Sequence, residues 1–134
     1  MKSKKAVYPI VLNREKDGWI VVYIPDFDGY TQGKDLADAL FMAQDAIEMA
    51  GVYLQDENKP IPAPSDIDSI ETKTGEIKTL VTADFDAYRR KTETKVIKKT
   101  LSLPSWLNFE AEKAGINFSA TLQEALKVKL GVEA

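Results

Sequence analysis

Four aspartates stand in two close pairs, Asp26 with Asp28 and Asp84 with Asp86, each pair flanking an expected turn. Brought together by a fold, four carboxylates would suit two Mg²⁺ ions and the cleavage of a phosphodiester. Aspartate beside glycine at the end of a strand is also ordinary turn chemistry, because its carboxylate bonds the nearby backbone. The turn reading is the one adopted: no catalytic residue, metal site or cofactor is assigned, and the chain is not read as an enzyme. The rest of the inventory points the same way. The chain contains no cysteine, which excludes disulfides and thiol catalysis. It contains no histidine, which removes the usual general base and the commonest transition-metal ligand. A second set of polar residues, Lys98, Thr100 and Ser102, occupies alternate positions near the other end of the chain. Side chains so spaced on a strand share one face.

The elements that must position these groups follow from pattern. Ala6–Leu12 is rich in valine, isoleucine and tyrosine and reads as a strand. Lys16-Asp17-Gly18 is a turn that uses a glycine at positive φ, and the run from Trp19 to Ile24 is a second strand. Trp19 and Tyr23 are expected to share a face as sheet packing. Pro25 ends the hairpin, having no N–H to donate, and a short third strand is expected near Tyr30–Gln32. From Leu36 the period changes: Leu36, Leu40, Ala43, Ile47, Ala50 and Leu54 are spaced 4, 3, 4, 3, 4, which predicts one apolar helical face. Asp35 is its expected N-cap. Met42 and Met49 are read as core filling and Phe41 as packing at the rim. A helical turn over Asp66–Glu71 and a fourth strand over Glu76–Thr82 complete an α+β sandwich, one long helix covering one face of an antiparallel sheet.

Tyr88–Lys95 is polar and basic with no apolar period, and is taken as a linker. Val96–Leu103 then alternates, with Leu101 and Leu103 opposite Lys98, Thr100 and Ser102. Two short helices follow, the first opened by Ser105 and ended at Gly115, the second capped by Ser119. A strand and two helices in about 40 residues rarely bury an adequate core alone. The remedy is a twofold dimer in which strands from two chains pair as a ribbon over a core of Leu101, Leu103, Leu107, Leu122 and Leu126. The ribbon's polar face fits the major groove of DNA, and the amides of Ser119, Ala120 and Thr121 at a helix start can hold a phosphate.

Charge divides in the same place. Residues 1–87 carry 9 Lys/Arg against 16 Asp/Glu, whereas residues 88–134 carry 9 against 5, so a net charge of −3 hides −7 followed by +4. Two partners of opposite charge are implied. With 44% hydrophobic residues the chain can bury a core, and no apolar run approaches the roughly 18 residues that cross a bilayer. The basic, then apolar N-terminus lacks a small-residue cleavage site and reads as the first strand, so a cytoplasmic location is expected.

Two resemblances now attach to these residues. The segment Lys98–Leu130 resembles a ribbon-helix-helix repressor in the strand ending at Leu103-Pro104, the glycine-containing turn, and Phe118-Ser119 before the second helix. The front resembles the HicB antitoxin family in Pro25-Asp26-Phe27-Asp28-Gly29, in Gly33 before the helix, in Asp38-Ala39-Leu40, and in Ile61-Pro62-Ala63-Pro64-Ser65. The resemblance implies a partial RNase H-like domain over residues 1–87 that binds and blocks a HicA-like toxin, a small basic protein that cleaves RNA. It implies a linker over 88–95 and a ribbon-helix-helix domain over 96–134 that dimerises, with tetramers compatible, and binds double-stranded operator DNA. Lys98, Thr100 and Ser102 would read bases and Ser119 would contact phosphate. A regulator with a ligand-sensing or oligomerising front domain is the alternative, and a metal-dependent nuclease the more distant one.

Overall fold

The computed structural model describes residues 5–132. The first four and last two residues of the expected domains lie outside that range. Contacts divide the chain between Glu93 and Thr94 into two units.

In the front unit, β1 (Ala6–Arg14), β2 (Ile20–Ile24), β3 (Gly29–Gly33) and β4 (Ile77–Ala83) form one sheet in the order β3-β2-β1-β4. Every pairing is antiparallel. The β1–β2 turn has Gly18 at φ +92°, a region that costs other residues steric strain. Alternation along the strands sends Tyr8, Ile10, Leu12, Ile20, Val22, Ile24 and Val81 to one face, where the helix α1 (Leu36–Asp56) covers them. Asp35 caps α1 as expected, its carboxylate accepting the Asp38 amide at 2.8 Å.

The face that α1 buries is the expected one at Ala43 and Ile47 and differs elsewhere. Ala39, Ala43, Ile47, Gly51 and Val52 are buried, while Leu36 and Leu40 are exposed. The reason is closeness. A Cβ added to Gly33 would overlap the Ala39 amide, so the first turns press on the backbone of β3 and only small residues fit between. The leucines are displaced to the side. Met49 and Phe41 also lie outside the core, both more than half exposed.

The expected linker over 88–95 is helical for most of its length. The helix α2 (Phe85–Thr92) starts at Asp84, whose carboxylate accepts the Ala87 amide at 2.9 Å. It lacks an apolar period because two residues hold it. Phe85 lays its ring where a side chain at Gly51 would be, and Arg89 bridges Asp56 at 3.0 Å and Glu93 at 2.6 Å.

The second unit consists of α3 (Ser105–Lys113) and α4 (Phe118–Leu130). Both helices end in the same way. Gly115 and Gly131 take left-handed φ of +71° and +66°, and the residue after each donates back to a carbonyl five positions earlier. Residues 93–104 form neither helix nor strand, where a strand over Val96–Leu103 was expected. A strand is defined by its ladder, and within one chain this segment has none to join. The N-cap of α4 is Asn117 instead of Ser119: the Asn117 side chain accepts the Ala120 amide at 3.0 Å, which places Ser119 inside the helix.

Candidate functional site

The four aspartates are occupied by structure. Asp26 accepts the Ser65 amide at 3.0 Å and the Ser65 hydroxyl as well. Asp28, at a left-handed φ of 46°, accepts the Tyr23 hydroxyl at 3.3 Å. Asp84 caps α2, and its own amide donates to Glu48 at 2.8 Å. Asp86 lies in the first turn of α2, where a negative charge meets the positive end of the helix dipole. Among the described residues no group of three or more histidines, cysteines, aspartates and glutamates is arranged to hold a metal ion. A convergent carboxylate site, which the nuclease alternative requires, is therefore not formed by these residues.

What Asp26 does instead is join two distant stretches. Its bonds to Ser65, together with the Tyr8 hydroxyl donating to the Pro62 carbonyl at 2.7 Å, tie the Pro25–Phe27 turn to the Ile61–Ser65 loop through the end of the core. Tyr8 packs edge-on against both Phe27 and Phe85. Burial, and then the nearby Asp26 charge, raise the Tyr8 hydroxyl pKa above the usual tyrosine value. Its neutral, donating form is favoured.

The surface of this unit carries apolar side chains that pattern reading assigned elsewhere or passed over. Phe41, Met49 and Tyr53 stand on α1 more than half exposed, and Tyr30 on the edge strand β3 is exposed as well. Phe41, Met49 and Tyr53 are spaced 8 and 4, so they form a stripe of their own on the helix. That spacing was a usable signal. Exposed aromatic and methionine side chains in an acidic setting suit contact with a basic protein.

In the second unit, no residue from Thr94 to Val132 is buried. Leu101, Leu103, Leu107 and Leu126 are between 39% and 56% exposed, and Leu122 is partly so. Lys98, Thr100 and Ser102 are exposed on the irregular approach to α3. At the start of α4, two of the three amides expected to meet phosphate have partners. Ala120 donates to the Asn117 side chain and Thr121 to the Asn117 carbonyl, each at 3.0 Å. The first-turn amides outside those two bonds belong to Phe118 and Ser119. No helix among the described residues is long and apolar enough to cross a membrane.

Comparisons with known proteins bear on both units. A family profile described as a HicB-like antitoxin of bacterial toxin-antitoxin systems matches residues 8–125. Antitoxin HicB 2 of Photorhabdus laumondii is 36% identical over 64 residues, which cover 47% of this chain and 45% of that protein. The match thus spans under half the length of that relative. Among solved structures, a chain of a toxin-antitoxin complex from Streptococcus pneumoniae superposes with a TM-score of 0.60 at 27% identity, over 94% of this chain and 99% of that one. The antitoxin HicB of Burkholderia pseudomallei superposes with a TM-score of 0.53 over 94% and 97% of the two chains. At 18% identity this second likeness speaks for the fold alone.

Proposed function

The chain belongs to the HicB-like antitoxin family, and from that premise we propose that it neutralises a small basic RNA-cleaving toxin and represses its own operon. The observation that carries the reading is the reach of the family match, which runs through the acidic front unit and on to residue 125 in the basic tail. The front is a partial RNase H-like domain in this reading. Its charge of −7 over residues 1–87 draws in a HicA-like toxin and covers the surface on which the toxin would hold RNA. Inhibition is occlusion, with no chemistry on the antitoxin's side.

The tail is a ribbon-helix-helix domain that becomes complete as a dimer. Residues 96–103 of two chains pair into the ribbon, and Leu101, Leu103, Leu107, Leu122 and Leu126 meet their symmetry mates beneath it. That pairing gives the exposed leucines the core that one tail lacks. Lys98, Thr100 and Ser102 then face the major groove, Lys98 donating to guanine edges while the two hydroxyls donate or accept. The amides of Phe118 and Ser119 meet phosphate at the start of α4. Dimers can pair on neighbouring half-sites as tetramers. The protein works in the cytoplasm, where both the operon and the toxin's RNA are found.

Two measurements test this. Mass spectrometry of what co-purifies with the tagged chain from its own cells should find a small basic protein in a defined complex; a dimer without any protein partner would reduce the chain to a plain regulator. Lys98→Ala combined with Thr100→Ala should abolish specific operator binding at fixed salt while leaving the circular dichroism spectrum unchanged. Unaltered operator affinity would refute the base-reading assignment.

A further inference from the structure

The face of the sheet opposite α1 carries a feature that the front unit's fold does not require. Tyr23 on β2 and Tyr30 on β3 are cross-strand partners, with ring centroids 4.9 Å apart and a tilt of 36°. The Tyr23 ring is steadied by its hydroxyl's bond to Asp28, while Tyr30 is 71% exposed. Beside them the chain segment from Ser69 to Glu76 closes a recess of about 340 Å³. Its lining includes Val11, Tyr23, Tyr30, Ile70, Glu71 and Glu76. That volume lies at the small end of ligand sites, suited to one side chain rather than to a cofactor.

The chemistry of the lining selects the occupant. Apolar and aromatic lining side chains accept a flat, weakly hydrated group, and two glutamates among the lining call for positive charge, although Glu76 already accepts the Lys73 amide at 2.7 Å through one carboxylate oxygen. A guanidinium meets both demands: it stacks on aromatic rings and pairs with carboxylates through a planar fork. The lysine nearest the recess in the sheet is engaged elsewhere. Lys78, beside Val11 in the sheet, spends its ammonium on the carbonyls of Ile67 at 3.1 Å and Ile70 at 3.2 Å. Arg89 bridges Asp56 and Glu93, and none of the three lines the recess.

We propose that this recess receives an arginine side chain of a basic protein partner, with the guanidinium stacked on Tyr30 and its charge met by Glu71 and Glu76. The identity of the partner as the toxin rests on the antitoxin reading above. The recess would turn general attraction between opposite charges into a fixed docking register, because one anchor in a shaped pocket sets orientation.

The test is an amide-resolved NMR titration of the full chain with a capped tripeptide carrying arginine at its centre, against the same peptide carrying neutral citrulline. The expected result is a set of saturating shifts at Tyr23, Tyr30, Ile70, Glu71 and Glu76 with arginine and none with citrulline. Tyr30→Leu should weaken that binding by about threefold or more, whereas Tyr30→Phe, which keeps the ring and loses the hydroxyl, should retain it. Glu71→Gln with Glu76→Gln should weaken it too. Equal responses to both peptides, shifts spread over the acidic surface, or full binding by Tyr30→Leu would each overturn the proposal. The titration uses no toxin, so it can fail while a basic protein still co-purifies, and the co-purification can fail while arginine still binds.

Discussion

Residues 5–93 bury a continuous set of apolar side chains running from Tyr8 to Ala83, whereas residues 94–132 bury none, although Trp106, Phe109 and Phe118 lie among them. The front closes its sheet over a helix within one chain and then presents acid to the outside. The tail holds its apolar groups at the surface and its basic groups beside them. Local capping occurs in both: Asp35 and Asp84 start helices in the front, and Asn117, Gly115 and Gly131 start or end them in the tail. The contrast therefore lies in tertiary burial and not in the quality of the helices. A helix can be well capped and still have nothing to pack against. One unit buries its own core, and the other buries none.

The largest effect that would break this comparison comes from the tail. Leu101→Asp with Leu103→Asp puts four like charges at the centre of the proposed ribbon of two chains. Sedimentation should show the dimer replaced by monomer, with the front unit's circular dichroism retained; a variant that stays dimeric would place the contact elsewhere. Next comes Ile47→Ala, at a wholly buried position of α1. It should cost about 2–5 kcal/mol in denaturant unfolding of the front unit. That cost should not change with protein concentration, because the core belongs to one chain. A smaller effect is expected at Asp84→Ala, which removes the cap of α2 and should cost about 1 kcal/mol with dimerisation unaltered.

The smallest effect concerns pH. The Tyr8 hydroxyl has its pKa raised by burial first and by Asp26 second. The folded protein therefore holds this proton more tightly than the unfolded chain does. Stability should be unaffected below the ordinary tyrosine value of 10.0 and should fall as pH rises through the higher folded value. Tyr8→Phe should remove that alkaline fall, while losing the bond to the Pro62 carbonyl at every pH. An unchanged alkaline profile in Tyr8→Phe would show that another group governs it.

Much of the front was legible in the amino-acid sequence for a physical reason: β-branched runs broken by Gly18 and Pro25 leave little choice but strands, and the Asp35 cap marks where the period changes. The buried face of α1 was legible at Ala43 and Ile47 but not in its first turns, because periodicity favours leucine over alanine and gives no sign of how closely a helix approaches a sheet. Leu36 and Leu40 had the pattern, while Ala39 had the size that closeness to Gly33 requires. The helix α2 escaped notice because Phe85 and Arg89 hold it through single contacts and not through a stripe. At the start of α4, Asn117 and Ser119 both have side chains able to cap, and only the backbone conformation decides between them. The alternation of Lys98, Thr100 and Ser102 against Leu101 and Leu103 is plain in the sequence, yet within one chain the segment finds no strand to pair with. The Tyr23–Tyr30 recess depends on strand register and on the distant segment from Ser69 to Glu76, and no local pattern announces it.

The central claim is a division of labour, in which the front holds a basic protein partner and the tail makes a dimer for DNA. Native mass spectrometry of the Leu101→Asp, Leu103→Asp chain, purified from its own cells, tests it most directly. The account predicts a monomeric chain still carrying one small basic protein, with operator binding lost. A variant that loses dimer and protein partner together would contradict it, by showing that the partner is held through the tail.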